Sequence, residues 1–200
     1  MTELGRVIPL RFDMSEMVRR SVATLYSHLV TRPTGQALRM GIEAQIAELG
    51  TMCLTVLDFS EVAVLDYSCA DEVVAKLIKR FQREDRPVEA YFMARGIENR
   101  HQEAIDVVLG RQGLAITAEL ADGRVTLLGE ASASELAAWN GLDALGRAAP
   151  EQVAEATRSP QAEINRALES LARRRVVARV DIPRTYFALR PLAAGSLSRS

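Results

Sequence analysis

The side chains with the most chemistry to offer lie in one short run, Asp66-Tyr67-Ser68-Cys69-Ala70-Asp71. Two hydroxyls and a thiol stand there beside two carboxylates. A phosphate on Tyr67 or Ser68 would add close to two negative charges next to Asp66 and Asp71, enough to eject a bound partner by repulsion. The plainer roles are a helix cap for Ser68 and packing for Tyr67. A thiol near a helix amino end, as Cys69 would be, is open to a lowered pKa and redox chemistry; a small packed residue is the plainer role.

A second group, Arg32, Gly35 and Arg39, spans a loop and a helix start, where an anion such as a nucleotide phosphate can sit. Solvated arginines around a turn are the simpler reading. The two histidines, His28 and His101, have no companion at metal-ligand spacing, and Cys53 and Cys69 are the only cysteines. There is no Walker loop, no G-x-G-x-x-G after a strand and no triad that spacing alone assembles. The expectation is a binding protein and not an enzyme, with no metal and no cofactor.

The elements that must position the Asp66–Asp71 run lie on either side of it. Leu54, Val56, Leu57 and Phe59 form an apolar run of strand length. From Ala70 onward, Val73, Val74, Leu77, Ile78 and Phe81 recur at helical spacing and predict one buried face. Asp71 and Glu72 fall in that helix's first turn, where the dipole favours negative charge.

This strand–turn–helix resembles the core of STAS domains, the sulfate-transporter and anti-sigma-factor-antagonist family. The residues that carry the likeness are Leu57-Asp58-Phe59-Ser60-Glu61-Val62 and then Asp66-Tyr67-Ser68-Cys69-Ala70-Asp71-Glu72. The second run is closer to a STAS-like branch whose turn reads Ser-Ser-Phe-Ala-Asp-Glu. The likeness is specific over residues 52–81 and diffuse over 30–128. It implies an α/β (α+β) STAS-like sandwich, a mixed sheet with helices, that binds a protein partner, such as a kinase or regulator, at the amino end of the helix. In the family's antagonists the first serine after the aspartate is phosphorylated; that position is Tyr67 here, and the family's glycine position is Cys69.

In chain order, Val7–Phe12 is a candidate strand. Ser15 is placed to cap a helix with Val18, Val22, Leu25 and Leu29 on one side, broken by Thr31-Arg32-Pro33-Thr34-Gly35. A second helix carries Leu38, Ile42, Ile46 and Leu49 and ends at Gly50. After the central helix, Pro87 precedes a strand at Val88–Met93. Ala94-Arg95-Gly96 is expected to turn into a helix of Ile97, Ile105, Val108 and Leu109. Leu114–Leu120 and Val125–Leu128 flank Asp122-Gly123, a hairpin signal.

Beyond Gly129-Glu130-Ala131-Ser132 the pattern changes. A helix at Ser134–Leu145 is predicted to bury Leu136, Trp139, Leu142 and Leu145. A short one follows Pro150, and Ser159 is placed to cap a third that buries Ile164, Leu168 and Leu171. Two strands, Val176–Val180 and Tyr186–Leu189, flank Asp181-Ile182-Pro183-Arg184-Thr185. This segment resembles the winged helix-turn-helix domains of bacterial transcription regulators. In that plan the third helix enters the major groove of double-stranded DNA. Gln161, Asn165 and Arg166 would meet base edges, while Arg158, Ser159 and Arg184 would touch phosphates.

The boundaries expected are a STAS-like domain at 1–130, a winged helix-turn-helix domain at 132–191 and a flexible tail at 192–200. Residues up to Ala131 hold 15 basic and 19 acidic side chains, and the rest hold 10 and 7, so the second half is mildly basic. No apolar run is long enough to span a bilayer, and the start, MTELGRVIPLRFDM, lacks an apolar signal core. A cytoplasmic regulator follows, with no membrane partner and a homodimer as the natural way to match paired half-sites. DNA binding coupled to partner sensing leads. The alternative is a partner-switching adaptor whose winged helix docks a protein.

Overall fold

A computed structural model describes residues 14–194; the strand expected at Val7–Phe12 lies outside them. The fold is an α/β architecture with a five-stranded mixed sheet, interleaved helices and a small antiparallel sheet with helices at the C-terminal end. The sheet runs β1 (Arg19–Thr24), β3 (Cys53–Asp58), β5 (Ala90–Ile97), β6 (Ala115–Leu120), β7 (Val125–Gly129), in that spatial order. The first four are parallel, and β7 closes the sheet as an antiparallel hairpin partner of β6.

Because the parallel strands advance in one direction, connections of one hand place every crossover helix on the same face. Those helices are α2 (Arg32–Leu49), the run between β3 and β5, and α5 (Asn99–Gly110). The middle run has three consecutive parts: α3 (Tyr67–Ala70), a π-helical turn (Asp71–Lys76) and α4 (Leu77–Gln82). Strand side chains alternate between faces. Cys53, Leu57, Ala90, Phe92, Ile116 and Ala118 meet the helices in one core with Ile42, Val73, Leu77, Phe81, Ile105 and Leu109.

The opposite face is covered by the C-terminal unit. There α6 (Ala133–Leu145), α7 (Pro150–Thr157) and α8 (Gln161–Arg173) pack around Trp139, Leu142, Val153, Ile164 and Leu168. The short strands β8 (Arg147–Ala148), β9 (Ala178–Asp181) and β10 (Arg184–Phe187) form the small sheet in the order β8-β10-β9. Trp139 is buried and donates from Nε1 to Thr117 Oγ1 at 3.3 Å, which ties α6 to β6. Leu54, Tyr91 and Met93 share a further core with Ala178, Phe187, Leu189 and Leu192. Leu192 therefore does not open a tail: helix α9 (Leu189–Ala194) lies on the sheet through it.

Several local expectations are corrected. The helix expected to hold Val18, Val22, Leu25 and Leu29 is β1 followed by the short strand β2 (His28–Leu29); helix α1 spans only Met14–Met17. Pairing with all six residues of β3 outweighs a weak helical period, and the β-branched Val22 and Thr24 suit a strand. The Thr31–Gly35 segment is a helix start and not a break. Thr31 accepts from Thr34 N at 3.3 Å, and Pro33 sits in the first turn. Ala94-Arg95-Gly96 does not turn: β5 runs through Ile97. A register shift there leaves Gly96 at φ 70°, where an added Cβ would lie 2.8 Å from Ser60 N. Leu136 and Leu145 point outward, and Ala138 takes the buried position between them.

Candidate functional site

The Asp66–Asp71 run sits at the end of the sheet where β3 finishes. Strand β2 pairs in parallel with β4 (Val64–Leu65), His28 opposite Val64 and Leu29 opposite Leu65. Leu29 is buried, so alternation turns Tyr26, His28, Val30 and Val64 outward. Tyr26, Val30, Val64 and the neighbouring Tyr67 are all more than 40% exposed. This ribbon and the start of α3 form the apex of the sheet unit, where these four large side chains are exposed beside His28.

Asp66, not Ser68, caps the helix. Its Oδ2 accepts from Ser68 N at 3.0 Å and from Ser68 Oγ at 2.6 Å, and these bonds hold its carboxyl below the usual range. Tyr67 donates its hydroxyl to Glu103 Oε1 at 2.9 Å, which raises the phenol pKa. Cys69 is fully buried and donates to Thr31 O. Burial pushes its thiol pKa up, the opposite of a reactive cysteine. It fills the gap left by Gly35 of α2, where an added Cβ would lie 3.1 Å from Cys69 Cα and 3.0 Å from Glu72 Cβ.

The position at Arg32, Gly35 and Arg39, where an anion was one option beside solvated arginines, is filled by the chain's own carboxylates. Arg32 Nη1 donates to Asp71 Oδ2 at 3.0 Å and Glu72 Oε1 at 2.9 Å. Arg39 donates to Glu43 at 2.6 Å and Glu72 at 3.2 Å, and Lys76 completes the ring around Glu72. Glu72 is 3% exposed. Burial opposes its charge, but Lys76, Arg32 and Arg39 hold its carboxyl below the ordinary value. Asp71 is held down against burial by Arg32 and Lys76 and also accepts from Gln112 at 2.8 Å. Nothing in the residue types singles out Glu72 as buried; only its i,i+4 spacing to Lys76 was a signal.

His101 is a structural histidine. Its Nδ1 accepts from Glu98 N at 3.2 Å, so Nε2–H donates to Val62 O at 2.9 Å. Burial lowers its pKa. The unfolded chain then binds the proton more readily, so stability is full above the ordinary value near 6.5 and falls as pH drops through it. Urea midpoints from pH 7.5 to 5 are expected to decline, and His101→Gln to flatten that limb. A flat profile in the parent would refute the assignment.

In the C-terminal unit, Gln161, Arg166 and Arg158 are exposed, while Asn165 and Ser159 are half-buried. Ser159 does not cap α8: it donates to Thr157 O at 3.3 Å, and Pro160 occupies the cap position. Arg158 ends α7 at φ 52°. Gln161 donates to Glu151 at 2.9 Å, Arg166 Nε donates to Ala162 O at 3.2 Å, and Arg184 pairs with Glu169 at 3.3 Å. Arg174 and Arg175 turn the other way. Arg174 bonds Glu135 at 3.1 Å and the Glu130 carbonyl; Arg175 bonds Glu89 at 2.7 Å and lies over the Tyr91 ring, 5.7 Å from its centroid.

Among the described residues no cluster of three or more His, Cys, Asp or Glu side chains is arranged to hold a metal ion, and no helix is long and apolar enough to cross a membrane. Comparison of the chain with models of known protein families and with curated proteins returns no match.

Proposed function

We propose that the protein is a regulatory adaptor that works by binding and not by catalysis. A STAS-like sheet unit meets a protein partner at its apex, and a winged-helix-like C-terminal unit presents a second protein-binding face. The observation that carries the choice of protein over DNA is the charge on that second face. Across α7, α8 and the β9–β10 hairpin, Arg158, Arg166, Arg173, Arg179 and Arg184 are matched by Glu151, Glu155, Glu163, Glu169 and Asp181. Arg184 and Arg179 are already paired with Glu169 and Asp181 at 3.3 and 3.0 Å. A phosphate backbone demands an excess of free cations, and Arg174 and Arg175 are already paired with Glu135 and Glu89.

The second reading, a transcription regulator, is favoured by one observation: Gln161, Ala162 and Arg166 on α8 are exposed, as is Ile182 at the hairpin tip. Titration of a random duplex at low salt separates the two. The adaptor reading expects no retardation. Retardation that fades steeply with salt and weakens in Arg158→Ala and Arg166→Ala would replace it with the DNA reading. At the apex, Val64→Asp is expected to change stability by no more than about 0.5 kcal/mol. A photoreactive residue at Tyr67 is expected to cross-link a protein in cells; no adduct there would remove the apex from the proposal.

A further inference from the structure

The helical run from Tyr67 to Gln82 joins the apex to the C-terminal unit. At one end, Asp66 and Tyr67 belong to the apical surface. At the other, Gln82 Nε2 donates to Arg174 O at 2.9 Å, at the carboxyl end of α8. Between them Val73, Val74, Ala75, Leu77 and Phe81 are fully buried, so displacement at one end is transmitted through packed side chains.

Six residues in the middle, Asp71–Lys76, are π-helical. Such turns are rare and occur mostly at functional positions. The α-helical alternative for the same residues differs by a shift of about one residue, or about 1.5 Å of rise. Glu72 lies inside this turn with its buried carboxylate held by Arg32, Arg39 and Lys76. Arg32 is the most exposed of the three cations, with 52% of its side chain accessible.

We propose that this run is a transmission element: Arg32 and Glu72 hold the π turn in its present register, a partner that draws Arg32 away lets the turn resettle, and Gln82 carries the change to α8. The inference rests on the apex being a partner surface. Its signal is an anionic group on that partner, a carboxylate or a phosphate, competing for the guanidinium N–H groups that Asp71 and Glu72 now occupy. The competition supplies the differential interaction that any population shift requires. The end of α8 that receives it is also held by the bonds of Arg174 to Glu135 and of Arg175 to Glu89.

Amide hydrogen exchange on the full chain tests the element without a partner. Arg32→Ala is expected to raise exchange about two- to thirtyfold in peptides covering 67–76 and, with them, in peptides covering 171–176. Peptides of β5 stay unchanged. Adding Gln82→Ala keeps the first rise and removes the second, measured against Gln82→Ala alone. Glu72→Gln, read the same way, breaks the ring from its centre if Lys76 compensates for the lost arginine. A rise confined to 67–82, an equal rise in β5, or no rise in either variant overturns the proposal. The apex reading fails separately, through the absence of a cross-linked protein while the exchange coupling persists.

Discussion

A chain cut after Ala131 is expected to be recovered unfolded or aggregated, although it contains all five strands of the large sheet and the helices of one face. The cut exposes Leu54, Tyr91 and Met93, which are at most 4% exposed in the full chain, together with Ala115, Leu127 and the buried Thr117. Each large apolar side chain returned to water costs about 1.5–3 kcal/mol. Three or four of them together match the roughly 5–15 kcal/mol that holds a domain folded. Met14 and Val18 remain, but they belong to the same back-face cluster and cover only part of it. Circular dichroism and size-exclusion chromatography of residues 1–131 are the check. A monomer with a cooperative transition would show that the two units are independent.

Glu72→Gln is expected to lower stability by about 2–3 kcal/mol at pH 7. Removing one member of a buried ion pair costs about 3–5 kcal/mol because the partner charge is stranded. The figure is reduced here because Arg32 and Lys76 reach solvent, with 52% and 41% of their side chains exposed. Arg39, at 18%, is the cation left worst placed. The sign of the pH dependence follows from a carboxyl held below its ordinary value against burial. Its contribution is complete above the unfolded value near 4.5 and is lost as pH falls through the folded one, so the variant should lose less stability than the parent in acid. Urea unfolding at pH 7 and pH 4 measures both effects. Equal midpoints at pH 7 would mean that the ring around Glu72 is ornamental.

The elements with strong local patterns are legible in the sequence itself. The face of the helix after β3 and the buried sides of α2, α7 and α8 follow from helical spacing, β3 from its continuous apolar run, and the β6–β7 hairpin from Asp122-Gly123. What escaped depended on distant residues. β1 is a strand because β3 offers an edge to pair with, which residues 19–24 do not encode by themselves. Arg173, Arg174 and Arg175 are alike in sequence, yet only Arg173 faces solvent freely; Glu89, Glu130 and Glu135 claim the other two. The site was half legible. The Asp66–Asp71 run does lie at an exposed apex, but its apolar companions Tyr26, Val30 and Val64 lie on or beside two-residue strands too short to announce themselves. Glu72 looked like an ordinary first-turn acid, and its burial is decided by Gly35 and two arginines more than thirty positions earlier.

Only Glu130, Ala131 and Ser132 separate the end of β7 from the first residue of α6. Three residues reach at most about 11 Å, and Gly129, at φ 97°, is wedged where an added Cβ would lie 2.7 Å from Leu109 Cβ. A tether this short forbids a swinging arm. A sensor based on the distance between fluorophores on the two units is therefore expected to stay silent when a partner is added.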